Sequence, residues 1–451
     1  MVLATLLLAV PAIGQGSWTL VPTAPGDPQG YGTDCLQFIA GTGEVLLYGG
    51  YAVPTNPAAL WSWDGIAWTL LETAAPPGER WAMALSYDDQ RDQLVVFGGG
   101  RGFYLGDTWE RDCVTGAWAE RSPANSPPPR FRSELVYDSA RHVHVLFGGE
   151  GPGGLLDDTW EWDGTNWTEV LTAVRPAPRR AHALVYDARR GKTVLFGGVD
   201  LNGVSFGDTW EFDGTAWVQL MPAQAPPARS HAGLVWDSDR EVVVLLGGQA
   251  GAWSSAGYWL LDGWEWNGTS WTQTPLTLTP PHGGENLTYD ALRHECVLYL
   301  GTPETWRYVA FGSTTCAGVP NSTGRPGRLV ASGTSSVANN DLELHALDLP
   351  QGSFGFFLTS LHEGYTVNAG GSQGTLCLNG AIGRYLGPGQ VQPTGAAGTL
   401  ALLLDLSQTP TPWGFTAVMA GETRHFQAWY RDVVAGGVTS NFTGSLSVSF
   451  H

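Results

Sequence analysis

Short apolar runs, bounded by Gly, Pro, Asn or Asp, follow one another along most of the chain. No long stretch carries apolar residues at the i, i+3, i+4, i+7 spacing of an amphipathic helix. Residues 183–186 and 193–196 illustrate the pattern, since a polar turn at 187–190 separates two apolar runs rich in β-branched and aromatic residues. The pattern predicts an all-β protein built from short antiparallel strands.

The apolar runs recur with a regular period. A Gly-Gly pair ends an apolar run in five places, 49 or 50 residues apart, and two tryptophans, 7 to 9 residues apart, follow each pair. An arginine recurs before the next unit, at Arg80, Arg130, Arg180 and Arg229. A period of this length indicates repeated supersecondary units. The tryptophan pairs are Trp61 and Trp68, Trp109 and Trp118, Trp160 and Trp167, Trp210 and Trp217, and Trp264 and Trp271.

Each repeated feature has a physical role. The double glycine lets the backbone turn sharply close to a neighbour. Asp213-Gly214 is a two-residue hairpin turn between the third and fourth strands of a unit. An Asp with an Arg three residues later, as in Asp187 and Arg190, staples the hairpin between the first and second strands. The paired tryptophans are expected to fill the space between neighbouring sheets.

One unit reads R-x-x-x-A-L-V-Y-D-x-x-R-x-x-x-V-L-F-G-G, a loop, and D-T-W-E-W-D-G-T-x-W. It resembles the Kelch repeat of the galactose oxidase-like superfamily, and the resemblance covers residues 17–310. This resemblance implies a β-propeller. A sixth unit at 286–308 lacks its fourth strand, which we expect residues 17–21 to supply. The prediction is a six-bladed Kelch-type propeller closed by an N-terminal strand, with seven blades as the alternative.

The period disappears at residue 311, and alternating apolar and polar positions continue to residue 451. This pattern predicts a C-terminal antiparallel β-sandwich. The combination resembles a C-terminal module of large secreted bacterial proteins. The expected domains are therefore a signal peptide at 1–16, the propeller at 17–310 and the sandwich at 311–451.

Charge and composition narrow the classes of partner. The chain has 451 residues and a net charge of −19, and its single lysine is Lys192. No basic stripe could neutralise phosphates, so nucleic acid and anionic membrane surfaces are not expected partners. Beyond the N-terminal residues, no apolar run is long enough to span a bilayer, so membrane insertion is not expected.

The N-terminus and the cysteines both indicate export. Residues 2–10 form a short apolar run, and residues 12–14 resemble a small-x-small cleavage site, although no basic residue precedes the run. The sequence contains five cysteines and no C-x-x-C motif. Cys316 and Cys377 lie in the C-terminal domain and are expected to form a disulfide. A secreted or cell-surface protein is predicted.

No catalytic signature stands out, and neither a cofactor nor a metal is expected. The Kelch resemblance raises the alternative of a copper radical oxidase, whose chemistry requires two His and two Tyr. His182 and His231 are the candidate ligands, because each lies two residues after a recurring arginine, Arg180 or Arg229. The repeated acids, such as Asp208 and Glu211, are interpreted as structural. A catalytic site is usually unique, whereas a motif that recurs in every blade stabilises the blade.

Function is expected in the loops that do not repeat, between the Gly-Gly pair and the third strand of each unit. Their aromatic residues and one arginine predict a ligand-binding surface. The predicted function is an exported, non-catalytic interaction protein that binds a protein or polysaccharide; the alternative is an extracellular carbohydrate-acting enzyme. An enzyme would need convergent polar groups at the channel mouth, whereas a binder would need exposed aromatic loops. The candidate ligand-binding residues are Tyr51, Arg101, Phe103, Tyr104, Phe206, Trp253, Tyr258 and Trp259.

Overall fold

A computed structural model describes most of the chain, and its described part is built almost entirely from β-strands. The chain divides into two compact units: residues 18–308 form the first, and the second contains Ser17 and residues 309–451. The predicted signal peptide at 1–16 lies outside the described residues. The described residues are 17–21, 24, 27–28, 35–50, 58–73, 76–238, 240–251, 258–274, 280, 283–293, 295–300, 304–309, 313–316, 318–324, 326–332, 337–338, 340, 342–395, 397–434 and 437–450.

The first unit contains, among the described residues, six four-stranded antiparallel sheets, here numbered 1 to 6 along the chain. In sheets 1 to 5 the strands pair in sequence order. Sheet 1 comprises Cys35–Ile39, Glu44–Tyr48, Leu60–Trp63 and Trp68–Glu72. Sheet 2 comprises Ala84–Asp88, Gln93–Gly100, Tyr104–Asp112 and Trp118–Arg121. Sheet 3 comprises Glu134–Asp138, Val143–Phe147, Thr159–Trp162 and Trp167–Glu169.

The remaining sheets repeat this design, and sheet 6 is completed from the N-terminus. Sheet 4 comprises Ala183–Asp187, Lys192–Phe196, Thr209–Phe212 and Trp217–Leu220. Sheet 5 comprises Gly233–Asp237, Val242–Leu246, Gly263–Trp266 and Trp271–Thr274. Sheet 6 comprises Leu287–Asp290, Glu295–Tyr299, Thr305–Val309 and, as its outer strand, Ser17–Val21. Two small hairpins lie between the second and third strands of sheets 3 and 5, formed by Glu150–Gly151 with Gly154–Leu155 and by Gln249–Ala250 with Tyr258–Trp259.

The first strand of each sheet is its inner strand. Each inner strand contacts the inner strand of the next sheet, and Leu287–Asp290 of sheet 6 contacts Cys35–Ile39 of sheet 1. The Phe38 amide donates a hydrogen bond to Thr288 Oγ1 at 3.1 Å across this junction. The unit is therefore a propeller-like fold in which the sheets follow one another around a central channel.

Repeated ion pairs hold the turns of sheets 2 to 5. In sheet 4, for example, the Arg179 guanidinium donates to both Asp208 carboxylate oxygens at 2.7 and 2.8 Å and to the Gly197 carbonyl at 2.9 Å. Burial alone would raise the pKa of Asp208, but the hydrogen bonds and charge of Arg179 lower it. The equivalent pairs are Arg80 with Asp107, Arg130 with Asp158, and Arg229 with Asp262.

A second set of contacts joins each sheet to the preceding one. The indole N–H of the second tryptophan of a unit donates to a threonine hydroxyl of the preceding sheet. These bonds join Trp68 to Thr305, Trp167 to Thr108, Trp217 to Thr159 and Trp271 to Thr209, at 2.8 or 2.9 Å. Trp118 instead donates to the Glu72 carboxylate at 3.2 Å. The tryptophans thus bury large rings between sheets with their only donor satisfied.

The predicted Asp–Arg staples are present as well. In sheet 4, Asp187 accepts a hydrogen bond from Arg190 Nε at 2.7 Å, and Arg190 also forms an ion pair with Glu211. The same arrangement recurs in Asp138, Arg141 and Glu161 of sheet 3. The repeated carboxylates therefore pair with repeated arginines.

The second unit contains two larger antiparallel sheets among its described residues. The larger sheet comprises Ser313–Cys316, Ser445–Ser449, Thr423–Val434, Gly437–Phe442, Phe354–Ser360, Gly383–Arg384 and Gln392–Pro393. The smaller sheet comprises Arg328–Ser332, Glu343–Leu347 and Leu400–Leu403. Two further hairpins are His362–Val367 with Thr375–Asn379 and Thr409–Thr411 with Gly414–Thr416, and a 3-10 turn spans Ala369–Gly371.

The two larger sheets of this unit share one hydrophobic core. Leu344 and Leu400 come from the smaller sheet, while Phe357, Phe426 and Tyr430 come from the larger one. The structure also joins the sulfurs of Cys316 and Cys377, whose Cα atoms lie 6.0 Å apart. Over the described part of the chain, no helix has the length and apolar character needed to cross a membrane.

Candidate functional site

A ring of backbone hydrogen bonds marks one end of the central channel. Ala82, Arg132, Ala181 and His231 occupy equivalent positions, two residues before the inner strands of sheets 2 to 5. All four have positive φ, between 49° and 54°. The amides of Arg132, Ala181 and His231 donate to the carbonyls of Ala82, Arg132 and Ala181 at 2.8, 3.1 and 3.0 Å. The backbone hydrogen bonds at this position form whether the residue is Ala, Arg or His. The backbone arrangement therefore does not require the Arg or His side chain, which can serve another role.

This alignment corrects two assignments made from the sequence. Arg179, and not Arg180, is the repeated arginine of its unit, because it makes the contacts that Arg130 and Arg229 make. His182 therefore lies three residues after its repeated arginine, whereas His231 lies two residues after Arg229. The two histidines do not occupy equivalent positions.

Charged side chains appear at this end of the channel where other sheets carry small or uncharged residues. Glu134 opens the inner strand of sheet 3, where sheets 2, 4 and 5 have Ala84, Ala183 and Gly233. Arg180 occupies the place of Trp81, Phe131 and Ser230, each of which forms a single bridge to the loop after its Gly-Gly pair. Glu285 stands just before the inner strand of sheet 6. We name Arg132, Glu134, Glu150, Arg180, His231 and Glu285 the mouth cluster.

Several contacts connect the mouth cluster. Arg180 forms an ion pair with Glu150, which also accepts a hydrogen bond from the Tyr104 hydroxyl at 3.3 Å. His231 Nε2 lies 3.9 Å from Glu285 Oε2. The charge of Glu285 raises the pKa of Arg132, although burial, the largest effect, lowers it overall. Groups from sheets 3 to 6 thus meet at the channel mouth.

The channel walls shift the protonation of these groups toward neutrality. Burial and the charge of Glu285 raise the pKa of Glu134 to about 8. Burial raises the pKa of Glu285 to about 7, with the charge of Arg132 opposing the shift. Burial and the charges of Arg132 and Arg180 lower the pKa of His231 to about 3. Near pH 7 the mouth therefore holds a neutral imidazole and carboxyl groups that both donate and accept hydrogen bonds.

Three aromatic rings stand beside the mouth cluster, and we name Trp81, Tyr104 and Phe131 the aromatic shelf. The Phe131 ring centre lies 5.1 Å from that of Trp81 and 5.3 Å from that of Tyr104. The Arg132 guanidinium lies 5.7 Å from the Phe131 ring centre. A Cβ at Gly100 would lie 2.7 Å from the Trp81 ring, so this glycine is required for the position of Trp81. All three rings are partly exposed.

The mouth cluster and aromatic shelf stand over a cavity of about 440 Å³ that the inner strands enclose. Arg132, Glu134 and Glu285 line it at the mouth. Deeper in the channel, aliphatic side chains such as Leu36, Leu85 and Val136 line the cavity together with polar ones such as Ser86 and Thr288. A concave cavity of this size with a few convergent polar groups is typical of small-ligand sites.

The candidate residues from the sequence have separate positions. Tyr51 and Trp253 lie outside the described residues. Arg101 and Phe103 are exposed at a turn, where the Arg101 amide donates to the Phe103 carbonyl at 3.0 Å.

The other candidates divide between the site, the framework and an outer hairpin. Tyr104 belongs to the aromatic shelf. The Phe206 ring packs 4.0 Å from the guanidinium of the framework residue Arg179. Tyr258 and Trp259 are exposed on the hairpin between the second and third strands of sheet 5. Tyr104 contacts the mouth cluster through the hydrogen bond from its hydroxyl to Glu150.

Sequence reasoning did not identify the mouth cluster. Its charged residues lie at repeat positions where other units have Ala, Gly or another uncharged residue. This difference between units is visible in the sequence. The obstacle was the offset of one residue at Arg179 and Arg180, which aligned His182 instead of Ala181 with Arg132 and His231.

The proposed copper ligands do not converge in the described structure. His182 is buried beside Phe147, with the ring centres 5.4 Å apart, whereas His231 donates to or accepts from Ser230 Oγ at 3.0 Å. Within the described ranges, no group of three or more His, Cys, Asp and Glu side chains is arranged to hold a metal ion.

Comparisons with known proteins identify a fold likeness only. No protein-family model matches the chain, and no curated protein matches it. Among solved structures, the chain is similar to one titled "Structure of YjhT", with 15% sequence identity and a TM-score of 0.48. The match covers 64% of this chain and 96% of that one.

Proposed function

We propose that the chain comprises a six-bladed Kelch-type β-propeller at 17–310, closed by its N-terminal strand, and an antiparallel β-sandwich at 311–451. The six sheets, the outer position of Ser17–Val21 and the repeated glycine pairs support the propeller. The shared core of the two larger sheets in the second unit supports the sandwich. The sandwich resembles the module of large secreted bacterial proteins.

We propose that the protein is an exported, non-catalytic interaction protein and that its ligand is a polysaccharide held at the channel mouth. The observation that carries this proposal is the aromatic shelf beside the mouth cluster. Sugar rings offer C–H faces that pack on aromatic rings and hydroxyls that bond to charged groups. A protein partner is less suited, because the site is a concave cavity rather than a broad surface.

The proposal moves the binding site from the loop tips to the channel mouth. Arg101 and Phe103 lie on the loop between the second and third strands of sheet 2, while Arg132 and Phe131 lie at the mouth. Variants of the two pairs therefore distinguish the two locations.

The test is a thermal-shift and calorimetric screen of the purified protein against a panel of plant, fungal and bacterial glycans. Arg132→Ala should weaken binding about tenfold or more, because it removes charge-assisted hydrogen bonds worth ~1.5–3 kcal/mol. Arg101→Ala is the matched control and should leave the affinity unchanged. If Arg101→Ala and Phe103→Ala abolish binding while Arg132→Ala does not, the loop tips are the site. If no glycan binds, the polysaccharide proposal is wrong.

Export is the second part of the proposal. The apolar run at 2–10 and the disulfide of Cys316 and Cys377 support it. The full chain, expressed in a bacterial host, should appear outside the cytoplasm with a new N-terminus shortly after residues 12–14. An uncleaved protein confined to the cytoplasm would contradict export.

An extracellular carbohydrate-acting enzyme remains the second candidate function. Glu134 and Glu285, with pKa values of about 8 and about 7, place a proton donor and a proton acceptor at one mouth. Mass spectrometry of panel glycans after incubation should show products that Glu134→Gln no longer forms. Unchanged glycans would support the binding protein. The copper radical oxidase form of this candidate predicts stoichiometric copper, which elemental analysis would detect.

A further inference from the structure

The mouth cluster is arranged around the channel and not along a groove. Arg132 and Glu134 come from sheet 3, and Glu285 comes from sheet 6, which lies across the channel in the cycle of inner-strand contacts. Arg180 of sheet 4 and His231 of sheet 5 complete the charged side of the mouth. Inner strands enclose the cavity below on every side. A ligand group therefore reaches these charges by entering along the channel axis.

We propose that the mouth cluster binds the terminal unit of a saccharide chain and that the adjoining units leave across the aromatic shelf. This inference rests on the proposed polysaccharide-binding function. It specifies the part of the polymer that is recognised: a chain end and not an internal segment.

The shape of the cavity favours a chain end. An internal unit of a linear polymer has a neighbour on each side, so it needs two exits from the site. The mouth is bordered on the side of sheets 4 to 6 by the Arg180–Glu150 ion pair and by His231 beside Glu285. Deeper passage crosses the aliphatic part of the lining, formed by residues such as Leu36, Leu85 and Val185, where hydroxyls without a hydrogen-bond partner would lose their hydrogen bonds to water. One exit remains suitable for a polar chain.

That exit is the aromatic shelf. The Phe131 ring makes a T-shaped contact with Trp81 and a tilted contact with Tyr104, with ring centres 5.1 and 5.3 Å apart. The Tyr104 hydroxyl reaches Glu150, so the shelf is continuous with the mouth cluster. The shelf therefore offers ring contacts to the second and third units of a chain whose end is held by Arg132, Glu134 and Glu285.

The experiment is isothermal titration calorimetry with two preparations of each glycan that binds in the panel. The first is an oligosaccharide series from one to six units, and the second is the corresponding long polymer. The expected result is an affinity that increases over the first few units and then stays constant, with no more than one protein bound per polymer end. A number of bound proteins that increases with polymer length would overturn the chain-end inference while leaving polysaccharide binding intact. Absence of binding to every glycan would overturn both.

Two classes of variant separate the terminal unit from the shelf. Arg132→Ala should weaken binding of the monosaccharide and of the longer chains by the same factor. Phe131→Ala should weaken binding of longer chains about two- to tenfold and leave the monosaccharide unaffected, because it removes one ring contact from the shelf. Tyr104→Ala tests the same shelf at a second ring, should Phe131→Ala fail to fold. Equal losses for all chain lengths in both shelf variants would overturn the proposed path.

Discussion

Arg179 and Arg180 are adjacent in the chain but belong to different regions of the propeller-like unit. The Arg179 side chain is 1% exposed and donates to two oxygens of Asp208 and to the Gly197 carbonyl. The Arg180 side chain is 24% exposed and forms an ion pair with Glu150 at the channel mouth. The first arginine is part of the framework that each unit repeats, and the second is part of the mouth cluster.

The comparison shows that residue type alone does not distinguish framework charges from site charges. Both regions use arginines with carboxylates, and both pairs are at least partly buried. The framework pair is fully hydrogen-bonded, which favours one fixed geometry. The mouth groups instead have carboxyl pKa values raised by burial to about 8 and about 7, a sign of incomplete compensation. Incomplete compensation leaves interaction energy for a ligand.

The largest expected loss of stability comes from breaking the ion pair between Arg179 and Asp208. Arg179→Ala leaves Asp208 without its main partner and should lower the free energy of unfolding by ~3–5 kcal/mol. The adjacent substitution Arg180→Ala is the matched control and should cost about 1 kcal/mol or less, because its ion pair is partly exposed. Denaturant unfolding of the two variants measures the difference. Equal losses would show that the two arginines do not belong to different regions.

A smaller change in stability is expected from substitution of Glu134, and this change depends on pH. Its folded pKa, about 8, lies above its unfolded value, so its contribution to stability is present at low pH and is lost as the pH rises toward 8. Glu134→Gln cannot ionise and should have a higher free energy of unfolding than the wild type at pH 8.5, while matching it near pH 4. The exposed Glu120→Gln serves as control. Parallel pH profiles for wild type and Glu134→Gln would contradict the assignment.

The smallest change in stability is expected from substitution of His231. Its pKa of about 3 keeps the imidazole neutral above pH 5, so its charge should not change between pH 5 and 7. The ring signals of His231 should remain constant over this range in a nuclear magnetic resonance titration. His231→Ala introduces the residue that the ring of backbone hydrogen bonds has at Ala82 and Ala181, and should change stability by about 1 kcal/mol or less. Titration of His231 near pH 6 would contradict the burial of its imidazole at the channel mouth.

Much of the fold was predictable because repetition amplifies weak local signals. The strand pairs around 183–196, the Asp187–Arg190 staple and the outer position of residues 17–21 followed from features that recur in phase. The candidate site was predictable only in part. Tyr104 was included for its aromatic ring, whereas Arg132, Glu134 and Glu285 were not, because their signal is a deviation from the other units and the units were aligned one residue out of phase at Arg179 and Arg180.

By itself the sequence determined the all-β class, the positions of the turns and the division into repeated and unrepeated halves. These are local properties of strand alternation, glycine and turn residues. The tertiary structure alone decided that residues from sheets 3 to 6, up to 153 positions apart between Arg132 and Glu285, meet at one mouth. The physical reason is that only closure around the channel brings distant side chains together, and burial there sets their charge.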